Sequence, residues 1–295
     1  MIVYYSTFNS EQKTPSIIKS FFLSKFEDKL LNFSIEGGTA KHGFKLEIPK
    51  GKSSEYAKPA LNGETPEEYF FKQLLSEILT AIVERISEYS YHTKGSSKVI
   101  TSENEKKNAE FSKWIKKVGN GSNLRMYTLN YDRNFKIIIE SNLPNIEIFE
   151  GFDCESTLEY GSKKRANIQR ILDDDQSNVY YNLHGSIFWK VDARDDSQLP
   201  NPYFYLTEAP NLPINLYEYP TKQSEKGKTL LLSNIITGYQ KTQRGIFSPF
   251  KQMSSAFDKD CVFAEHIFII GYSFNDEHIN ASLRTGLEYN KNLKI

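Results

Sequence analysis

Cysteine is nearly absent, since Cys154 and Cys261 are the only two in 295 residues. That excludes a disulfide-stapled scaffold and a four-cysteine zinc module, and no close-spaced cysteine pair suggests a mixed cysteine and histidine site. One bridge between the two thiols is left open, and a reducing, cytoplasmic setting is expected. An excess of one charge sign is also missing, because 37 Lys and Arg balance 37 Asp and Glu. A neutral molecule has no field to gather phosphate backbones or an anionic bilayer, so nucleic acid is not an expected partner of this chain. Long apolar runs are lacking too: nowhere do about 18 uncharged apolar residues follow one another, the length a spanning helix requires. The opening Met1-Ile2-Val3-Tyr4-Tyr5-Ser6 has no basic stretch ahead of an apolar one. No membrane partner and no signal peptide are expected.

What is present is an ordinary globular composition, 39% hydrophobic and 14% aromatic. A chain of this length buries enough surface for one large α/β domain or two smaller ones without a stabilising metal. Residues 1–60 form a segment of unassigned organisation, with glycines at Gly37-Gly38 and Gly51. From Thr65-Pro66 onward, where Thr65 caps and Pro66 opens the first turn, apolar residues recur at Phe70, Leu74, Leu75, Ile78, Ile82 and Ile86 and predict an amphipathic helix. A polar loop over 93–108 leads into a second helix carrying Phe111, Trp114, Ile115 and Val118, which Gly119-Asn120-Gly121 stops.

Three strands are then predicted, each ending in a polar cluster. Leu124 to Leu129 ends in Asn130-Tyr131-Asp132, with a helix through Phe135, Ile138 and Ile139 behind it. Val179 to Leu183 ends in His184-Gly185-Ser186, and His266 to Ile270 ends in Gly271-Tyr272-Ser273-Phe274-Asn275-Asp276. Asp276 is placed to cap a helix with Ile279, Leu283 and Leu287 on its inner stripe. Residues 192–243, rich in Pro, Tyr and Asn, read as a long excursion over the mouth of the site. In a parallel α/β sheet ligands sit beyond the carboxyl ends of the strands, so these clusters are expected to share one cleft.

Thr128-Leu129-Asn130-Tyr131-Asp132, Leu183-His184-Gly185-Ser186 and Gly271-Tyr272-Ser273-Phe274-Asn275-Asp276-Glu277-His278-Ile279 resemble, in order, signature blocks of the SIR2-like (sirtuin-related) domain, in the branch found in bacterial anti-phage defence proteins. The resemblance covers roughly the C-terminal half of the chain. It implies a Rossmann-like parallel sheet flanked by helices over 61–295, with the excursion at 192–243. It also implies NAD+ as substrate, hydrolysed to nicotinamide and ADP-ribose, with no metal, in a homo-oligomer or as partner subunit of a defence complex. The Gly-Ala-Gly-x-Ser type phosphate loop of the family has no counterpart ahead of Thr128; Gly37-Gly38-Thr39-Ala40 is the nearest sequence and follows no apolar strand. Leu293-Lys294-Ile295 looks like the opening of a further strand, and both ends suggest a piece of a longer protein.

The resemblance also distributes roles. Asn130 positions the attacking water or the ribose hydroxyls, Asp132 binds the nicotinamide carboxamide, and His184, of the side-chain type that titrates closest to neutral pH, acts as general base on a ribose hydroxyl or on water. Thr128, Tyr131, Gly185, Gly271 and Ser273 line the dinucleotide, and Asn275 and Asp276 serve its adenosine side. Each has a plainer alternative: Asn130 and Asp132 as turn-formers, His184 as a structural imidazole, Asp276 as a helix cap, His278 as a structural residue. A module that binds NAD+ or ADP-ribose without turnover, or only scaffolds a complex, is the competing expectation. Phe111 and Trp114 are expected in the core, and Lys163-Lys164-Arg165 on a solvated face.

Overall fold

The computed structural model describes residues 2–3, 80–89, 99, 101–119, 121–156, 163–192, 203–211, 221–225, 228–236 and 245–295. The expected organisation of 1–60 and the Gly37-Gly38 turn lie outside these residues, as does the start of the helix at Thr65-Pro66, of which 80–89 is described and helical.

In chain order the described elements begin with β1 (Ile2–Val3), α1 (Glu105–Val118), β2 (Arg125–Thr128), α2 (Asn134–Asn142), β3 (Ile148–Phe149) and β4 (Phe152–Ser156). They continue with β5 (Lys163–Ala166), α3 (Ile168–Asp173), β6 (Asn178–Asn182), β7 (Trp189–Asp192) and β8 (Tyr203–Leu206). The last are β9 (Thr221–Glu225), β10 (Lys228–Leu231), α4 (Phe250–Phe263), β11 (Phe268–Ile269) and α5 (Glu277–Tyr289).

The class is mixed α/β, organised on a parallel three-stranded sheet in the order β2-β6-β3. Its register pairs Arg125 with Val179 and Thr128 with Asn182 on one side of β6, and Ile148 with Asn178 on the other. Side chains alternate across this sheet because successive strand residues point to opposite faces. Met126 and Tyr180 meet Ile115, Phe135 and Ile139 of α1 and α2 on one face. Tyr127 and Tyr181 meet Ile171, Met253 and Phe257 of α3 and α4 on the other. Both faces are thus covered, which explains why β2 and β6 are apolar over consecutive positions instead of alternating with polar ones. A parallel pair, β1 with β11, runs beside β2, and His266 bridges in parallel to Lys294, so the strand-like reading of the last residues holds locally.

Phe111 and Trp114 pack on the core as expected, with Trp114 edge-on to Phe268 at 5.2 Å. Helix α1 begins at Glu105, inside the stretch expected to be loop, and its end at Gly119 is the predicted one. Leu287 is exposed, so the inner stripe of α5 consists of Ile279, Leu283 and the buried Gly286.

Within 192–243 the described residues include three strands. Tyr203–Leu206 is an inner strand of a four-stranded antiparallel sheet, β4-β5-β8-β7, and β9 with β10 makes an antiparallel pair. Phe204 and Tyr205 are buried, so Tyr203–Leu206 contributes to the core. The charged run Lys163-Lys164-Arg165 is part of β5 in that sheet; Lys164 and Arg165 are exposed, and the Arg165 guanidinium lies 4.9 Å over the Tyr203 ring. Both cysteines are free thiols, which closes the option of a bridge.

Candidate functional site at the carboxyl edge of the parallel sheet

β2 and β6 run side by side in parallel, so the pairing of Thr128 with Asn182 carries Asn130 and His184 out of the sheet at the same edge, each two residues further on. Polar bonds inside the protein fix the turn after β2. The Thr128 hydroxyl, itself buried, accepts from the Asn130 N–H at 3.1 Å. The Asn182 amide donates to the carbonyls of Asn130 at 2.9 Å and Asp132 at 3.0 Å. Asp132 accepts from the Asn134 N–H at 2.9 Å, an Asx turn that starts α2. Its carboxyl is buried, and loss of hydration raises its pKa to about 6, against the opposing pull of the Asn134 N–H and the Asn130 side chain. The turn-forming alternative for Asp132 is therefore realised, and the same carboxyl also touches Asn130.

Tyr131 is held from both ends. Its hydroxyl donates to the Ile236 carbonyl at 2.8 Å, and its own carbonyl accepts from the Ser186 hydroxyl at 2.9 Å and the Ile187 N–H at 3.1 Å. Beyond it, Arg133 forks onto the buried carboxylate of Glu150 and lies 5.1 Å over the Phe188 ring.

The turn after β6 is built against residues 234–236. The His184 carbonyl accepts from the Ile236 N–H at 2.8 Å, and the Ser186 N–H donates to the Asn234 carbonyl at 3.0 Å. Between them Gly185 has φ of 80°, and a Cβ there would run into the Asn234 carbonyl. Glycine is required at this position for two separate reasons, the left-handed backbone and the close approach.

The third cluster divides. Gly271, Ser273 and Asn275 are exposed, and Gly271 turns the chain with φ of 64°. Asp276 heads α5, yet its side chain makes no cap bond; its carbonyl instead receives the N–H groups of Ile279 and Asn280. Relative to the expected cap, the carboxylate faces the histidines: His184, Asp276 and His278 each bring a polar side-chain atom to within 4.8 Å of the others. The two imidazoles approach Nε2 to Nε2 at 3.4 Å. Tyr272 fixes this loop by donating to the Asp276 carbonyl at 3.0 Å and to the Asn280 side-chain oxygen at 2.9 Å.

The fold therefore brings His184, Asp276 and His278 together, sets Asn130 and Asp132 on the neighbouring strand end, and leaves Ser273 and Asn275 in solvent. Sequence reasoning passed over Asn182 and Asn234. Asn182 carries a legible signal, an amide that follows the aromatic and aliphatic run Val179-Tyr180-Tyr181. Asn234, whose amide donates to the Trp189 carbonyl at 2.7 Å, carries none, because its role depends on a contact across 45 residues. Compared with protein-family models and with curated proteins, the chain has no match.

Proposed function

We propose that the chain is an NAD+ glycohydrolase with a SIR2-like site, releasing nicotinamide and ADP-ribose in the cytoplasm and acting in anti-phage defence by NAD+ depletion. The observation that carries this reading is the exit of Asn130 and His184 from adjacent parallel strands at one edge, joined there by the loop before α5. That edge is where an α/β sheet binds nucleotides. No helix among the described residues is long and apolar enough to cross a membrane, which is compatible with a water-borne dinucleotide substrate.

Cleavage of the nicotinamide-ribose bond proceeds through an oxocarbenium-like state. The C–N bond breaks with its electrons returning to the pyridinium ring, so nicotinamide leaves neutral. Water adds its oxygen to the anomeric carbon, and the proton it sheds goes to His184 Nε2. Asn130 orients that water or the ribose hydroxyls. Asp132, whose carboxyl holds the Asn130 side chain, supports that orientation and offers acceptor capacity to the nicotinamide carboxamide. The N-terminus of α5 adds partial positive charge toward the dinucleotide phosphates, with the Gly271 and Ser273 turn beside it.

The test is nicotinamide release from NAD+ by the full-length, assembled protein. Wild type should turn over, and His184→Ala should lose about 100- to 10,000-fold, the usual worth of a general base. Tight NAD+ binding without release would assign the chain to a binding module instead, and release undiminished in His184→Ala would remove the hydrolase reading.

A further inference from the structure

We propose that His184, Asp276 and His278 form a binding site for one divalent first-row transition-metal ion of the zinc class. Each contributes one ligand atom, and these atoms lie within 4.8 Å of one another. The separation of the imidazole nitrogens fits a shared ion. Two ligands at a zinc-nitrogen distance of 2.0–2.1 Å subtend a tetrahedral edge of about 3.4 Å. The Nε2 atoms of His184 and His278 stand 3.4 Å apart, at the outer limit for a hydrogen bond and at the right spacing for a shared ion.

Two neutral imidazoles with one carboxylate are a donor set of intermediate softness, suited to zinc, cobalt or iron(II) and poor for magnesium or calcium, which take oxygen ligands. Three protein ligands leave a fourth position open. The backbone under all three is fixed before any ion arrives. His184 is anchored through its carbonyl to Ile236, Asp276 through its carbonyl to Tyr272, and the His278 carbonyl accepts from the Ser282 hydroxyl at 3.2 Å. Such preorganisation lowers the cost of assembling the site. The positive end of the α5 dipole opposes a cation here, so the charge of Asp276 carries a large share of the affinity.

The ion and the hydrolytic step compete for one lone pair. On the hydrolase reading, on which this consequence rests, an occupied site holds His184 Nε2 as a ligand and stops it accepting the proton from water, so the metal inhibits.

Metal-stripped, untagged full-length protein dialysed against Zn2+ should take up one equivalent per chain, and Co2+ in its place should give the visible bands of a tetrahedral nitrogen and oxygen site. Asp276→Asn and His278→Ala should each weaken uptake by at least about 100-fold, more than the loss expected for an outer-shell partner. In the wild type, diethylpyrocarbonate modification of His278, mapped by peptide mass spectrometry, should fall in proportion to the zinc bound, a readout independent of whether either variant folds. No uptake, uptake unchanged in both variants, or modification of His278 unaffected by zinc would each overturn the site. Nicotinamide release by the metal-stripped protein is measured in parallel. Its suppression by zinc supports the inhibitory role. Release indifferent to a bound ion overturns that role, and no release with or without zinc removes the hydrolase reading while the binding result stands.

Discussion

His184 and His278 face each other through Nε2 atoms 3.4 Å apart, although 94 residues separate them in the chain. One stands two residues beyond β6 of the parallel sheet and the other lies on the first turn of α5, so their meeting brings the start of α5 to the carboxyl end of β6. An Nε2 pair of this kind needs a proton or an ion between its lone pairs. That requirement links the two proposals, since the same atom serves as base when free and as ligand when occupied.

Asp132 makes the site sensitive to pH in a defined direction. Its pKa is about 6 in the folded protein, raised by burial from an ordinary 3.8. Between those values the native state holds the proton more tightly than the unfolded chain, so native stability gains as pH falls from 7 toward 4 and loses as pH rises through 6. Above that range the buried charge costs up to about 3 kcal/mol. Asp132→Asn keeps an oxygen for the Asn134 N–H and removes the charge. The variant should be more stable than wild type at pH 7 by as much as about 3 kcal/mol, with the gap closing near pH 4. Nicotinamide release should fall in the same variant. Urea unfolding of both proteins at the two pH values decides it, and a variant no more stable than wild type at neutral pH would show that Asp132 is not held in its charged form at a cost.

Gly185→Ala tests whether the turn after His184 is as constrained as its geometry says. The substitution places a methyl against the Asn234 carbonyl in a backbone with φ of 80°. Either the 234–236 segment moves away or the turn unwinds, and both displace the His184 backbone that Ile236 holds. A loss of about 2–4 kcal/mol is expected, beyond the usual range for an alanine at an open glycine. Gly121, with φ of 84° and open space around it, is the matched control: its alanine variant carries the backbone strain without the clash. Thermal unfolding that ranks the two variants equally would dismiss the close approach.

Of the parallel core, β2 and β6 were legible because each is a run of consecutive apolar residues that stops at a polar cluster, a pattern that depends only on neighbours in sequence; the two-residue β3 carries no such signal. Asn130 and His184 were found by the same rule, one position after each stop, and Asp132 two positions beyond Asn130. The antiparallel sheet was not legible. Its β5 presents Lys164 and Arg165 to solvent and reads as a solvated charge run, and β8 is a strand only because Tyr203–Leu206 meets β7 and β5. Helix α4 is different: its buried Phe250, Met253, Ala256, Phe257 and Cys261 recur at helical spacing with polar residues on the opposite face, so the signal was there and went unread. His278 could be placed on the first turn of α5 from sequence, but its facing of His184 depends on the angle at which α5 leaves β11, a property of packing. The Asp276 cap failed because the carboxylate faces two imidazoles, and a competing tertiary partner outweighs local capping.

Asp260 ties α4 to the foot of β2, at the opposite end of the sheet from the site. Its Oδ2 accepts from Arg125 Nε at 2.7 Å and from the Tyr127 hydroxyl, and both members of the ion pair are largely buried. Burial first, and then the neighbouring carboxylate, push the Tyr127 phenol well above its ordinary pKa, so it stays a donor at any physiological pH. Removing the carboxylate leaves a buried guanidinium and a buried hydroxyl with a partner gone, which costs about 3–5 kcal/mol. Asp260→Ala should therefore destabilise by that amount. Asp260→Ala with Arg125→Met should recover most of the loss, because the uncompensated charge leaves along with its partner. Since Asp260 lies far from the strand ends that carry Asn130 and His184, nicotinamide release per folded molecule should be unchanged in either variant. Denaturant unfolding gives the first two quantities and turnover normalised to native protein gives the third. A double variant as unstable as the single one would mean that α4 is held to β2 by the shape of the Tyr127 and Phe257 contact, whose rings lie 5.0 Å apart, and not by charge.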